Sequence, residues 1–353
     1  MSIIHADSFS GYGLNTTGTY MTEGIYAEVG SGVGPKADPD GVSTGYVLQH
    51  GGSGNSTTPW RYALQGGATQ KVGQANRVWY SALPANGPKD RFMMWNDVSN
   101  NWLAYITCET TGALSFVINT GGSGTSYTTS IPVITAQGWW HVEAYYMPDG
   151  AGTATFEVRV EGVTVLSQTG VTAPVNYTAQ MSSYRNNISN NSAVYIKDLV
   201  LWDGNGTRNN DFLGSVKVKN LAVVSDVSLG GWTLSSGTDG FALLDNVPPV
   251  DTDYASADNT PPAAMSYELD DLPLDTSSVK ALISRVRAKK ADGGDGQLQV
   301  SMISSGVAAA GSDRPITAAW IFWRDVQELD PNTAAPWTRT TANAAQLKID
   351  RTL

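Results

Sequence analysis

Two stretches decide the fold of this chain: Trp139–Tyr146 (WWHVEAYY) and Thr155–Val165 (TFEVRVEGVTV). In the second stretch, every other residue from Phe156 to Val160 is apolar and the residues between them are charged. A period of two residues places one side of a strand against a core and the other side in water. Gly162 follows Glu161 at the centre of the stretch, where a tight hairpin turn requires positive φ angles. The pattern predicts an antiparallel β-sandwich.

Further strands are predicted on the N-terminal side of these stretches. Glycine, asparagine and proline separate short apolar or alternating runs, which is typical of a sandwich or jelly roll. The predicted strands are Ile25–Val29, Gly45–His50, Arg61–Gln65, Asn76–Leu83, Arg91–Trp95, Leu103–Cys108 and Leu114–Asn119.

The length of 353 residues favours two domains. A polar stretch at Gly204–Asn210 (GNGTRNN) suggests the boundary, with a jelly roll at 1–204 and a β-rich domain for docking or oligomerisation at 205–353. Strands of the second domain are predicted at Phe212–Val224, Met265–Leu269, Val279–Lys289, Gln297–Ser304 and Thr317–Val326. The segment Val279–Lys289 also has helical spacing. We favour a strand that enters a hairpin at Ala291–Gly296.

Several segments carry a resemblance to known proteins. WWHVEAYY, the EGV turn and Tyr195–Gly206 (YIKDLVLWDGNG) resemble the last sheet of a concanavalin A-like jelly roll of the laminin-G kind. More specific elements resemble a group of virion proteins of tailed bacteriophages, in which a second β-rich domain follows a lectin-like domain. These elements are Asp211–Leu221 (DFLGSVKVKNL), Asp251–Tyr254 (DTDY), Ser278–Gly293 and Asp330–Thr338 (DPNTAAPWT).

The bulk composition excludes several classes of protein. The net charge is −10 and the pI about 4.7, so the chain repels phosphate backbones and nucleic-acid binding is not expected. The start of the chain does not match a signal peptide, and no run of apolar residues is long enough to insert into a membrane. The only cysteine, Cys108, is expected to be a small buried apolar residue.

Signatures of common enzymes are missing from the sequence. There is no P-loop, no Gly-x-Ser-x-Gly elbow and no His/Cys cluster for a metal. The nearest match to a glycosidase carboxylate strand, Glu268–Asp271, has Pro273 where a third carboxylate belongs. We therefore expect a protein that is not an enzyme and needs no cofactor.

Sugar binding requires an aromatic platform beside amide and carboxylate groups. Trp95, Asn96 and Asp97, with Asn101 and Trp102, combine these groups on one predicted hairpin loop and form the predicted glycan site. The competing interpretation is that both tryptophans cap the core. A second set of similar composition occurs at Tyr184–Asn187. The tryptophans at 139, 140, 320 and 323 are expected in the core or in a subunit interface.

A weaker candidate for a calcium site begins at Asp203 and includes Asn205 and Asp211. Oxygen ligands are abundant there, but Arg208 and Gly214 occupy positions where an EF-hand loop has its glycine and its closing glutamate. A polar turn between domains is the alternative interpretation.

Taken with the resemblance, these features predict a non-enzymatic structural protein of a tailed-phage virion, associated with the tail or baseplate. Its expected partners are other virion proteins, further copies of itself and a host surface glycan. It would be made in the host cytoplasm. A capsid decoration protein and a phage polysaccharide depolymerase are the alternatives.

Overall fold

The structure is a computed structural model. It describes residues 3–9, 12, 34–40, 46–50, 60–66, 70–84, 90–97, 99, 101–135, 137–175, 180–186, 194–257 and 264–353. The predicted strand at 25–29 and the predicted side-chain set at 184–187 lie outside the described residues and side chains. The described residues up to Val218 form one compact unit, and Lys219–Leu353 form a second. The segment 205–218 therefore belongs with the first unit.

Two antiparallel sheets build the first unit, as the alternating sequence pattern predicts. Sheet A has the order β12-β11-β10-β5-β14-β3-β2, and β1 also pairs with β14. Its strands are β1 (Ile3–Asp7), β2 (Gly34–Ala37), β3 (Tyr46–His50), β5 (Val72–Tyr80), β10 (Trp139–Pro148), β11 (Thr153–Val160), β12 (Val163–Thr172) and β14 (Val194–Asp203).

Sheet B has the order β4-β13-β6-β7-β8-β9. Its strands are β4 (Trp60–Gly66), β6 (Asp90–Asn96), β7 (Trp102–Cys108), β8 (Leu114–Asn119), β9 (Gly124–Thr128) and β13 (Gln180–Asn186). The core lies between the sheets, where Phe116 of β8 stacks on Phe156 of β11 with ring centres 3.9 Å apart. Cys108 is buried, as expected. The all-β jelly-roll prediction is confirmed.

The predicted hairpin turn is present between β11 and β12. Glu161 has φ +50° and Gly162 has φ +81°, which is the pair of positive angles that a two-residue turn requires. The glutamate also anchors the turn, because its Oε1 accepts a hydrogen bond of 2.6 Å from the His141 backbone N–H.

The second unit is also β-rich. Sheet C has the order β15-β18-β24-β20-β21 with β22 on β20, while β16 pairs with β17 and β19 with β23. The strands are β15 (Val223–Ser228), β16 (Thr233–Leu234), β17 (Ala255–Ser256), β18 (Ala264–Leu269), β19 (Leu282–Ala288), β20 (Gln297–Ser304), β21 (Val307–Ala310), β22 (Arg314–Pro315), β23 (Ile321–Gln327) and β24 (Gln346–Arg351). Two short helices are α1 (Phe241–Leu244) and α2 (Arg339–Asn343). Neither described helix is long and apolar enough to cross a membrane.

Two predictions for the second unit are wrong in detail. The strand predicted at 212–224 begins only at Val223, because the residues before it bind side chains of sheet A instead of a neighbouring strand. The segment around Leu282 is a strand, as favoured, but it pairs with β23 and not with β20. The loop at 291–296 therefore passes between two sheets and does not close a hairpin.

Candidate functional site

The face of sheet A that points away from sheet B carries a row of three aromatic side chains. Trp139 on β10 is paired with Trp79 on β5, and Trp79 is paired with Tyr195 on β14. Side chains of residues paired across antiparallel strands point to the same face. All three side chains are partly exposed, and the two indole rings meet edge to face at 5.8 Å. They form an aromatic platform across three adjacent strands, which we call the aromatic row.

Charged groups fix the orientation of this platform. The Trp139 Nε1 donates hydrogen bonds of 3.1 Å to carboxylate oxygens of both Asp38 and Asp40. The Lys197 Nζ lies 4.0 Å from the centre of the Trp139 ring and donates a bond of 2.8 Å to Asp38. Because these contacts already fix the Trp139 ring, binding of a ligand costs little additional conformational entropy at this side chain.

Two residues further along β10, on the same face of the sheet, His141 is paired with Arg77 of β5. The His141 side chain is fully buried, and neither of its ring nitrogens has a hydrogen-bond partner. Burial, with a smaller contribution from the charge of Arg77, lowers the pKa of His141 from 6.5 to about 4. The imidazole is therefore neutral at pH 7, and as a neutral base it can accept a proton.

The next row contains Glu143, whose carboxylate receives backbone N–H groups from a different part of the chain. One oxygen accepts from Leu213, and the other accepts from Gly214 at 3.1 Å. Burial raises the pKa of Glu143 from 4.5 to about 7, although both hydrogen bonds and the charge of Arg159 act in the opposite direction. This carboxylate binds a proton more strongly than an exposed glutamate does.

Residues 211–218, here called the strap, run along this face of sheet A. Besides the bonds to Glu143, the strap is held by a bond of 2.6 Å from Arg77 to Ser215 and one of 2.8 Å from the Val218 N–H to Asp198. An ion pair of 2.7 Å between Lys71 and Asp211 fixes its other end. These contacts explain why a segment with a strand-like pattern does not enter a sheet.

An aromatic side chain of the strap adds apolar contact to these polar bonds. The Phe212 ring lies 5.4 Å from that of Tyr145 and 6.1 Å from that of Trp202, and the Arg159 guanidinium lies 3.7 Å from its centre. The Trp202 ring itself lies over Gly73, where a Cβ atom would come within 2.0 Å of it. The strap thus covers part of the outer face of sheet A, and the aromatic row lies next to it.

The structure separates the residues of the predicted glycan site. Trp95 is fully buried in the core and donates a hydrogen bond of 3.1 Å to the Val72 carbonyl, and Asn96 is buried beside it. Asp97 and Asn101 bond to each other across the turn at 2.7 and 2.8 Å. Trp102 is partly exposed on sheet B and packs against Tyr105. Of the two tryptophans, only Trp102 presents part of its ring to solvent.

The oxygens of the predicted calcium site are used within the fold. Asp203 accepts a bond of 2.6 Å from Gln70 and one of 3.0 Å from the Asn205 backbone, while Asp211 pairs with Lys71. The Lys71 ammonium and further hydrogen bonds outweigh the effect of burial and lower the pKa of Asp211. Within the described ranges, no group of three or more His, Cys, Asp or Glu side chains is placed to hold a metal ion.

The sequence predicts that Trp139 lies in the core or in an interface, and it does not mark Trp79 or Tyr195 as residues of a binding site. The three residues are far apart in the chain, and only the register of β10, β5 and β14 brings them together. The available signal was that each lies on a strand one residue away from an inward-facing apolar residue.

No family model and no curated protein matches the sequence of the chain. Solved structures with a similar fold include the receptor-binding domain of botulinum neurotoxin type G, with 12% identity, coverage of 57% of this chain and 48% of that domain, and a TM-score of 0.39. Another is an endo-β-1,4-glucuronan lyase from the fungus Trichoderma reesei, with 11% identity, coverage of 57% and 95%, and a TM-score of 0.38. The alginate lyase from Alteromonas sp. 272 has 11% identity, coverage of 48% and 93%, and a TM-score of 0.32.

At these identities the matches bear on the fold alone. Polysaccharide lyases are nevertheless frequent among the similar structures. The prediction that the chain is not an enzyme is therefore wrong as an inference from its fold, since β-sandwiches of this kind also carry catalytic sites. The comparisons give no support to a phage virion, which stays a proposal.

Proposed function

We propose that this chain is a carbohydrate-binding protein that holds a glycan on the aromatic row of Trp79, Trp139 and Tyr195. The observation that carries the proposal is the alignment of three partly exposed rings across adjacent strands. The C–H face of a pyranose packs well on such rings, while its hydroxyl groups need polar partners nearby.

Polar partners are available at the edge of the row. Asp40 is partly exposed, and its carboxylate accepts from the Trp139 indole at this edge. Lys197 has three donor hydrogens and supplies donors at the same edge. The platform and the polar groups together provide the combination that the sequence had predicted for the loop at Trp95–Trp102.

The proposal predicts a selective loss of binding in a Trp139→Ala variant. We expect its affinity for a glycan ligand to fall about tenfold or more, because aromatic contacts of this kind are worth about 1 kcal/mol beyond the area they bury. Binding to an array of bacterial surface polysaccharides, followed by titration of the best ligand, would measure the effect.

Trp102→Ala is the matched control, because it removes a partly exposed tryptophan from sheet B. We expect this variant to bind as the unchanged protein does. If Trp102→Ala abolishes binding while Trp139→Ala leaves it intact, the glycan site lies on the hairpin predicted from sequence and the proposal fails.

The setting that we propose is the virion of a tailed phage, at the tail or baseplate, with capsid decoration as the alternative. This part of the proposal is supported by the segments that resemble phage virion proteins, such as Asp211–Leu221 and Asp330–Thr338. Antibody labelling of virions followed by electron microscopy would test it. Unlabelled particles from a phage that encodes the chain would count against it.

A polysaccharide depolymerase is the second candidate, and His141 favours it. A neutral imidazole without hydrogen-bond partners is paired with Arg77, two residues along the strands from the aromatic row and on the same face. A base and a cation at these positions suit proton abstraction from a uronic acid. Its carboxylate would have to replace Asp198, which lies 3.3 Å from the Arg77 Nε. Because His141 is fully buried, the groups that cover it would have to move first.

Incubation with polyuronates distinguishes the two functions. A depolymerase that acts by elimination produces unsaturated chain ends, which absorb in the ultraviolet, and His141→Asn would abolish their formation. Binding without any new chain ends over a panel of acidic polysaccharides would leave carbohydrate binding as the function of this face.

A further inference from the structure

One side of the sandwich is formed by the end strands of both sheets. Among the described strands, sheet A ends at β12 and sheet B ends at β9. Tyr127 of β9 packs against Phe156 of β11 with ring centres 5.3 Å apart, and β11 is the strand that pairs with β12. The two end strands therefore lie next to each other on the same side of the first unit.

The two end strands carry no charged residue. The sequence contains no Asp, Glu, Lys or Arg from 110 to 142, which includes β9, and none from 162 to 184, which includes β12. Free protein surfaces usually carry charged residues at about one position in four, whereas the centres of protein interfaces are depleted in them. Exposed apolar side chains occur here as well, since Ile131 and Val163 are each 65% exposed.

Strand β12 has the features of an end strand that accepts another strand. It is ten residues long, most of its residues are exposed, and it contains neither a proline nor a charged residue. The register of β12 on β11 shifts on both sides of Leu166–Gln168, so the regular part of the strand is this central segment. Proteins usually protect a free sheet edge by shortening it, by bulges, or by placing lysine or proline on it. The opposite end strand of sheet A, β2, is protected in this way, with four residues that include Pro35 and Lys36.

We propose that the protein forms a dimer in which β12 pairs with β12 of a second copy, antiparallel and about a twofold axis. The two A sheets then join at the regular segment Leu166–Gln168, where the exposed backbone groups of β12 become paired. The axis passes near Ser167 and Gln168, at the centre of the strand. This inference is independent of the proposed glycan site, which lies on β10, β5 and β14.

The charge of the chain favours a second copy as the occupant. Each copy carries a net charge of −10, so two copies repel each other wherever acidic surfaces meet. End strands without charged residues are where this repulsion is weakest. A basic partner would instead be recognised by an acidic surface, which this side does not offer. A twofold axis also makes any strand complementary to itself in the antiparallel direction.

The test is the mass of the full chain in solution, measured by sedimentation and light scattering over a range of concentrations. We expect a particle with twice the mass of the 37.5 kDa chain. Ser167→Lys with Gln168→Lys should weaken its dimerisation about a hundredfold or more, because four ammonium groups then meet at the axis and repel one another.

The matched control is Val307→Lys with Ala308→Lys on β21, an exposed end strand of sheet C. It adds the same charge elsewhere and should remain dimeric. Hydrogen exchange of the unchanged protein gives a second readout, because amides of β12 should become better protected as the concentration rises. A monomer at all concentrations, a trimer, or a dimer that survives the lysines on β12 would overturn the proposal.

Discussion

A Trp95→Ala variant is expected to lose about 3–5 kcal/mol of the free energy of unfolding of the first unit, as large-to-small changes of buried aromatic residues do. The Trp95 ring is fully buried and lies 5.6 Å from that of Phe116 and 6.2 Å from that of Tyr146. The indole N–H also bonds to the Val72 carbonyl, which would be left without this donor. Denaturation by urea, followed by circular dichroism, measures the loss.

The comparison with Trp102→Ala decides between packing and ligand binding. Trp102 is partly exposed, so we expect its removal to cost about 1 kcal/mol or less. If Trp95→Ala kept full stability but lost glycan binding, Trp95 would belong to a ligand site, as its sequence neighbours had suggested, and the packing explanation would be wrong.

The second large effect is expected for Glu143→Ala, which removes the acceptor for the Leu213 and Gly214 backbone N–H groups. Leaving two such groups unpaired costs about 2–4 kcal/mol. The strap should then open more often, so we expect trypsin to cleave faster after Lys217. Glu268→Ala, which removes an exposed carboxylate bonded to Ser225 in the second unit, is the control and should change neither quantity appreciably.

The cost of Glu143→Ala should depend on pH in a defined direction. The pKa of Glu143 is about 7 in the folded protein and near 4.5 in an unfolded chain, so the unfolded chain releases this proton first as the pH rises. Between pH 4.5 and 7 the glutamate therefore makes the folded protein less stable with rising pH, by about 3 kcal/mol in total.

His141 acts in the opposite direction. The pKa of His141 is about 4 in the folded protein and near 6.5 in an unfolded chain, so the folded protein loses stability as the pH falls from 6.5 through 4. In the unchanged protein the contributions of His141 and Glu143 nearly cancel over this range. In Glu143→Ala only that of His141 remains, and the variant should lose about 3 kcal/mol between pH 7 and pH 4. A pH profile as flat as that of the unchanged protein would contradict both pKa shifts.

The sequence was sufficient for the sandwich because alternation is a local property. The run from Phe156 to Val160 and the turn at Gly162 have the predicted conformation, since neighbouring residues alone determine it. The strap was mistaken for a strand for the same reason. Its pattern is strand-like, but its N–H groups bind carboxylates at Glu143 and Asp198, about 70 and 20 residues away.

The aromatic row depends on how neighbouring strands are aligned with each other, and the sequence of a single strand does not show this alignment. Trp79, Trp139 and Tyr195 form a row only because β5 pairs with both β10 and β14 in one alignment, and a shift by one residue would turn each ring towards the core. The burial of Trp95 is also a matter of register. The register of β6 on β7 shifts between Trp95 and Asn96. Simple alternation along the sequence therefore does not show which of these side chains faces the core.

The pairing of β1 with β14 has a consequence for synthesis on the ribosome. Strand β1 must wait for Trp202 before it can complete its pairing, because Ile3 is paired with Trp202. At translation rates of about 5–20 residues per second this delay is roughly 10–40 s. Contacts between residues so distant in the chain also slow folding itself. Strand β1 can therefore join sheet A only after β14 has been synthesised.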